Sequence, residues 1–320
     1  MLLICGVACT SCTESPEAAA RPASIAATTA TGRGMIVPAY VALGDVSTWN
    51  ILRENAATVT SGAHPKDYWV VANGPSNGPF TTSAEWAAGA AVWDPLRAAG
   101  GVVIGYVHTC TTPTGPTFRP LADVEAEIAA WVAGYPGIGG IWLDEFYPRY
   151  EIAGADGVAA TFPNGQALAP TDRSFLNADG TFNAKQVVPA GGYYDQLTSW
   201  IHGHYPGLKI IGNAGGQFYS NQINYTDLVD ITCSFEQTYS YAANAPTNDW
   251  ANLNRQNTTT THAQLALIHT NTTDLAGAVS QAFAHGYQYV HTTSRALSDN
   301  LWGGIPPYFT SEAQLIGDLP

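Results

Sequence analysis

Two carboxylates stand side by side at Asp144 and Glu145, and a third, Glu236, comes much later in the chain. Each closes an apolar, β-prone run. Gly139-Gly140-Ile141-Trp142-Leu143 leads into the pair, and Val229-Asp230-Ile231-Thr232-Cys233-Ser234-Phe235 leads into Glu236. Charges placed against an apolar core are costly unless chemistry requires them. Two carboxylates facing each other across a cleft can cleave a glycosidic bond: one protonates the leaving oxygen while the other attacks the anomeric carbon or activates water. A structural role competes with this reading, in which Asp144 and Glu145 cap the following segment or pair with Arg149 and Arg173.

The elements that must hold these groups follow from the pattern of the chain. Short β-rich runs occur at 35–41, 67–73, 102–107, 138–144, 208–213, 229–236, 264–270 and 287–292. Helical spacing appears between many of them, at 48–59, 84–99, 121–133, 186–205, 273–285 and 310–319. Alternation of strand and helix implies parallel pairing with right-handed crossovers. Eight such units predict an α/β fold of the single-domain (β/α)8 TIM-barrel type, with residues 35–320 as the barrel and a long insertion at 147–185 after the fourth strand. A doubly wound sheet is disfavoured, because no Gly-x-Gly-x-x-Gly follows the first strand.

Barrel active sites form at the C-terminal ends of the strands. The residues expected there are Tyr40, Asn73, Tyr106, His108, Asp144, Glu145, Asn213, Glu236, His269 and His291, with Ser76 on the turn-rich loop 73–79. The set is polar, aromatic and rich in carboxylate, which suits a sugar. Tyr40, Tyr106, Trp142, Tyr147 and Tyr239 are candidate flat faces for sugar rings. Strand alternation assigns Gly140, Trp142 and Asp144 to the barrel axis, and Ile141 and Leu143 to the helix side. It leaves Glu145 pointing outward unless the backbone turns there. The same rule assigns Val229, Ile231, Cys233 and Phe235 to the helices and Asp230, Thr232, Ser234 and Glu236 to the axis. Asp144 and Glu236 are thus the candidate reacting pair, with Glu145 in support.

Competing chemistries are weaker. His108, His269 and His291 near strand ends raise a catalytic zinc as an alternative, the chemistry of a metal-dependent polysaccharide deacetylase. No histidine pair accompanies the first strand, however, and His202 and His204 belong to a predicted helix. The expected metal set is therefore none, and no cofactor is implied. A non-catalytic carbohydrate-binding barrel is the other alternative. No Gly-x-Ser-x-Gly elbow is present for a serine triad.

With 25 acidic against 12 basic side chains, the formal net charge is -13. That balance argues against nucleic acid or an anionic membrane as a partner and suits a neutral or cationic substrate. Residues 1–34 read as a truncated export signal or lipoprotein-like segment plus a disordered linker, with Cys9 or Cys12 as candidate lipid-attachment cysteines. Export is the expectation, and no later segment is apolar for the roughly 18 residues that a membrane span requires. A monomer is expected. Cys110 and Cys233, both near strand ends, are open to either a disulfide or two buried thiols.

Taken in order, Met35-Ile36-Val37-Pro38-Ala39-Tyr40-Val41, the 73–79 loop, Gly105-Tyr106-Val107 with Thr109, Gly140-Ile141-Trp142-Leu143-Asp144-Glu145 and Phe235-Glu236 resemble the spherulin-4-like proteins of glycoside hydrolase family 135. The resemblance implies a (β/α)8 hydrolase acting on α-1,4-linked N-acetylgalactosamine or galactosamine polymers, such as the galactosaminogalactan of fungal biofilms. The family's acidic positions fall on Asp144, Glu145 and Glu236. Similarity to related barrels makes Asp144 the nucleophile and Glu236 the acid/base of an endo-acting, retaining enzyme. The chain departs from the family in the 73–79 loop, where a proline is expected directly after the asparagine, and in the 147–185 excursion.

Overall fold

The computed structural model describes residues 32–110, 118–146, 193–215, 227–240 and 262–320. The insertion at 147–185, Arg149, Arg173 and nearly all of the leader segment lie outside the described residues. The eight strands close into one parallel barrel in chain order, and β1 pairs with β8 to complete the ring. They are β1 (Gly34–Ala39), β2 (Asp67–Ala72), β3 (Val102–His108), β4 (Gly140–Asp144), β5 (Lys209–Asn213), β6 (Ile231–Thr238), β7 (Ala263–His269) and β8 (Tyr289–Thr292). The helices α1 (Val46–Ser61), α2 (Ser83–Ala98), α3 (Leu121–Gly134), α4 (Tyr193–His204), α5 (Leu275–Ala284) and α6 (Phe309–Asp318) pack outside. The eight predicted strands and the barrel are therefore observed, with ends shifted by a residue or two.

Local chemistry starts several of these helices. Asp45 accepts the Thr48 N–H at the head of α1, and Thr82 with Glu85 forms a reciprocal capping box at the head of α2. Asp274 caps α5 in the same manner as Asp45.

Two apolar layers result. Inside the barrel, strands contribute Ile36, Ile104, Trp142, Ile211 and Leu265 to one buried cluster. A second, larger cluster lies between strands and helices and includes Trp93, Trp131, Ile141, Leu143 and Phe235. The alternation expected of β4 is observed, with Trp142 inside and Ile141 and Leu143 outside.

In β6 the alternation is not the expected one. Ile231 and Cys233 belong to the inner cluster, whereas Phe235 belongs to the outer one. The pairing with β7 slips between Cys233 and Phe235, so Ser234 is an extra residue that reverses the phase of the strand. Ser234 donates to Gln264 Oε1 at 2.5 Å in a buried hydrogen bond. The bulge carries Glu236 back to the axial side. Among the described residues no helix is long and apolar enough to cross a membrane.

Candidate active site

The chain turns sharply where β4 ends. Glu145 takes φ 56, a left-handed conformation that costs a non-glycine residue on the order of 1 kcal/mol or more. Its surroundings hold it there. The Tyr194 hydroxyl donates to the Glu145 carbonyl at 3.0 Å, and Thr109 Oγ1 lies 2.9 Å from the same oxygen. Directly afterwards, Phe146 N–H donates to the Asn213 carbonyl at 2.7 Å, and the Phe146 ring occupies the space beside Gly212 that a Cβ would fill. The turn separates the adjacent acids, leaving Asp144 on the axis.

Asp144 accepts three hydrogen bonds. Tyr106 Oη donates to Oδ2 at 2.6 Å, and Asn213 Nδ2 donates to Oδ1 at 2.8 Å. Trp142 Nε1 reaches Oδ1 at 3.4 Å from below. Glu236 is held by two donors, Asn213 Nδ2 to Oε2 at 3.1 Å and Trp302 Nε1 to Oε1 at 3.1 Å. One amide nitrogen therefore joins the two carboxylates. Burial first, and then the Asp144 charge, push the Glu236 carboxyl up to about 7 against the pull of its donors.

Glu145 has different partners. Burial and then Asp144 push its carboxyl up to about 7, opposed by the Cys110 N–H and the Arg119 charge. Arg119 is itself paired with Glu127, Nη1 to Oε2 at 3.0 Å, and also donates to the His108 carbonyl at 2.8 Å.

Tyr40 and Tyr106 meet edge to face with centroids 5.3 Å apart, and burial holds both hydroxyls protonated. His108 lies beside Tyr106, and its Nδ1 is 2.9 Å from the Asn77 carbonyl and 3.4 Å from Arg119 Nη1. Asn73 donates to Asn77 Oδ1 at 3.1 Å, while its own buried Oδ1 has no hydrogen-bond partner among the described residues. Ser76 is exposed on the same loop. The loop after β2 thus reaches the site through His108.

Other expected contacts are placed elsewhere. Trp142 is 0 % exposed and forms the floor under Asp144, so it offers no face to a sugar ring. Tyr239 donates to Asp274, the cap of α5, at 2.9 Å and packs against the helix-side core. His291 is buried against Glu312, with Nδ1 and Oε2 3.1 Å apart. His269 is 5 % exposed with Nδ1 3.1 Å from Thr270 Oγ1, and burial lowers its pKa. Among the described residues no three His, Cys, Asp or Glu side chains gather as a metal site. Cys110 and Cys233 are free, buried thiols rather than a disulfide.

Trp302 is the member of the site absent from the sequence reading. It lies on the connection between β8 and α6, beyond the last strand end, where strand periodicity gives no signal.

Residues 34–161 match the model of the spherulation-specific family 4. Over that span the chain is spherulin-4-like. The spherulin-4-like stretch contains β1 to β4 and two of the three acids, Asp144 and Glu145. Among solved structures, Sph3 of Aspergillus clavatus, crystallised with GalNAc, is similar at a TM-score of 0.59 and 18% identity, over 89% of this chain and 98% of that one. ScGas2, solved with a bound compound, is similar at a TM-score of 0.50 and 10% identity, over 91% of this chain and 67% of that one. At these identities the likeness is one of fold. No curated protein matches the chain.

Proposed function

We propose that this barrel is a glycoside hydrolase acting on an α-1,4-linked amino-sugar polysaccharide of N-acetylgalactosamine or galactosamine, endo-acting and retaining. The observation that carries the reading is the Asn213 amide nitrogen, 2.8 Å from Asp144 Oδ1 and 3.1 Å from Glu236 Oε2. Those distances keep the two oxygens within about 6 Å, a close approach that suits the retaining arrangement, in which the carboxyl groups are about 5–5.5 Å apart. Asp144, oriented by three donors, attacks the anomeric carbon from the barrel axis. Glu236, with its pKa pushed up to about 7, keeps a proton near neutrality to give to the leaving oxygen and then takes one from the incoming water. Tyr40, Tyr106, Asn73, Ser76 and His108 line the approach, and Glu145 supports the pair from the β4 turn.

The substrate class rests on the spherulin-4-like stretch and on the likeness to Sph3, whose structure holds GalNAc. The formal charge of -13 suits a partly deacetylated, cationic chain. We place such an enzyme outside the cell, where polysaccharide is met. The test is incubation of the purified protein with acetylated and deacetylated galactosamine polymers, with products read by mass spectrometry and anomeric configuration by proton NMR. Released oligosaccharides of retained α configuration are expected. Binding without product release would replace the proposal with a carbohydrate-binding barrel.

A further inference from the structure

We propose that Trp302 is a positioning residue for Glu236, presented by a preformed loop between β8 and α6; its place in catalysis rests on the glycosidase reading above. Glu236 has a donor on each oxygen, Asn213 from β5 and Trp302 from the loop, and an amide and an indole N–H can only donate there. Two donors from opposite sides fix the plane of the carboxyl. Trp302 supplies half of that constraint from an element that carries no catalytic acid.

The loop is built to hold the indole still. Arg295 braces it from within, donating through Nε to the Asn300 carbonyl at 2.9 Å and through Nη2 to the Asp299 carbonyl. Asn300 takes φ 52, and Gly303 N–H returns to the Asn300 carbonyl at 3.0 Å, closing the turn that carries Trp302. The Trp302 carbonyl then accepts the Tyr40 N–H at 2.9 Å, tying the loop to the end of β1. The indole is 7 % exposed and packs on the His291 ring at 5.7 Å between centroids. His291 is anchored in turn by Glu312. A tryptophan fixed by its backbone, buried, and set at a tilt against the His291 ring has little freedom left, so its N–H is aimed before any ligand arrives.

The groups facing Glu236 define what its loss should do. Asp144 from β4 opposes the carboxylate, while Tyr40 from β1, Tyr106 from β3 and Cys233 on the same strand are held protonated by burial. His269 ends the neighbouring β7, and His291 lies behind the indole. Against these, Trp302 is one of two donors that favour the anion, so deleting its N–H moves Glu236 further towards the protonated form.

Trp302→Phe keeps an aromatic ring against His291 and removes only the donor. The readout is carboxyl carbon NMR titration of Glu236, assigned by the resonance missing from Glu236→Gln. A rise of about one pH unit is expected, the size of one hydrogen bond to a charged group. In turnover, the alkaline limb of kcat should move up with it, and kcat should fall more than KM rises. An unchanged Glu236 titration would overturn the proposal, because a purely structural Trp302 leaves that pKa where it is. The titration needs no substrate, so absence of hydrolysis by the unaltered protein refutes the glycosidase reading and leaves this measurement standing. If Trp302→Phe does not fold, benzothienylalanine at position 302 removes the N–H with the bicyclic shape kept, and the same two outcomes decide.

Discussion

Asn213 gives Glu236 a hydrogen bond of 3.1 Å from the same amide nitrogen that it gives Asp144 at 2.8 Å. Both hydrogens of that nitrogen are committed, one to each acid, so the separation of the pair is set by a single atom. Misplacing reacting groups by about 1 Å can lower a rate by two orders of magnitude. Asn213→Ala is therefore expected to lower kcat about 100-fold with little change in KM, since the proposed substrate contacts are other residues. Asn213→Asp should be at least as damaging, because it adds a third carboxylate between the first two. Steady-state kinetics on a galactosamine polymer decide; an Asn213→Ala enzyme of normal kcat would remove the bridge from the mechanism.

In the proposed mechanism the two acids have separable tasks, and the leaving group distinguishes them. Asp144→Ala removes the group that bonds the anomeric carbon and should abolish turnover on every substrate. Glu236→Gln removes the proton donor, and general acid catalysis contributes typically 10²–10⁴-fold. An aryl glycoside with an acidic phenol needs no such proton, so the first step of Glu236→Gln should be far less impaired on it than on the polysaccharide. Equal loss on both substrates would take the acid role away from Glu236.

Most of this architecture was legible from the chain alone, for a physical reason. A parallel barrel buries both faces of every strand, so each strand is a short apolar run, and the run preceding Asp144 keeps strict alternation to its end. Alternation failed in β6 because the extra residue Ser234 is a matter of pairing with β7, and nothing in the local sequence marks it. Glu236 still reached the axis, by way of a bulge rather than by the expected phase. Position near a strand end makes Trp142 and His291 candidate ligand contacts, but a strand end in a barrel can still be core, and they lie at 0 % and 1 % exposure as floor and buttress. Trp302 carries no signal in the sequence because it sits on a loop, where position comes from turn geometry and not from period.

The raised carboxyls make stability depend on pH with a definite sign. Glu145 and Glu236 titrate ordinarily at 4.5 and in the folded protein at about 7. Between those values the folded state holds protons that the unfolded chain has released, so stability falls as pH rises through that window. In the other direction, Asp45 and Glu85 have lowered pKa values from their capping hydrogen bonds and lose that contribution when they protonate in strong acid. The melting temperature should therefore peak near pH 5 and decline by several degrees towards pH 7.5. In the Glu145→Gln, Glu236→Gln double variant the decline should flatten. A melting temperature rising steadily from pH 5 to 7.5 in the unaltered protein would contradict the assignment of these groups.

Glu312 offers the severest test of the scaffold behind the site. It is 0 % exposed on α6, accepts the Thr292 N–H at 2.6 Å, and lies 3.1 Å from His291. Burial is the main cause raising its pKa, and His291 opposes that rise. Leaving two buried polar groups without their partner costs about 1–3 kcal/mol apiece, together about 2–6 kcal/mol. Glu312→Ala strands both the Thr292 N–H and His291 and should lower the unfolding free energy by that amount. Glu312→Gln keeps an acceptor for Thr292 and nearly the same volume, so it should cost about 1–2 kcal/mol, the scale of a single impaired hydrogen bond. Urea unfolding followed by tryptophan fluorescence orders the two variants. Because His291 supports the Trp302 ring, Glu312→Ala should also lose activity at temperatures where it remains folded; full activity there would show that the site does not depend on this buttress.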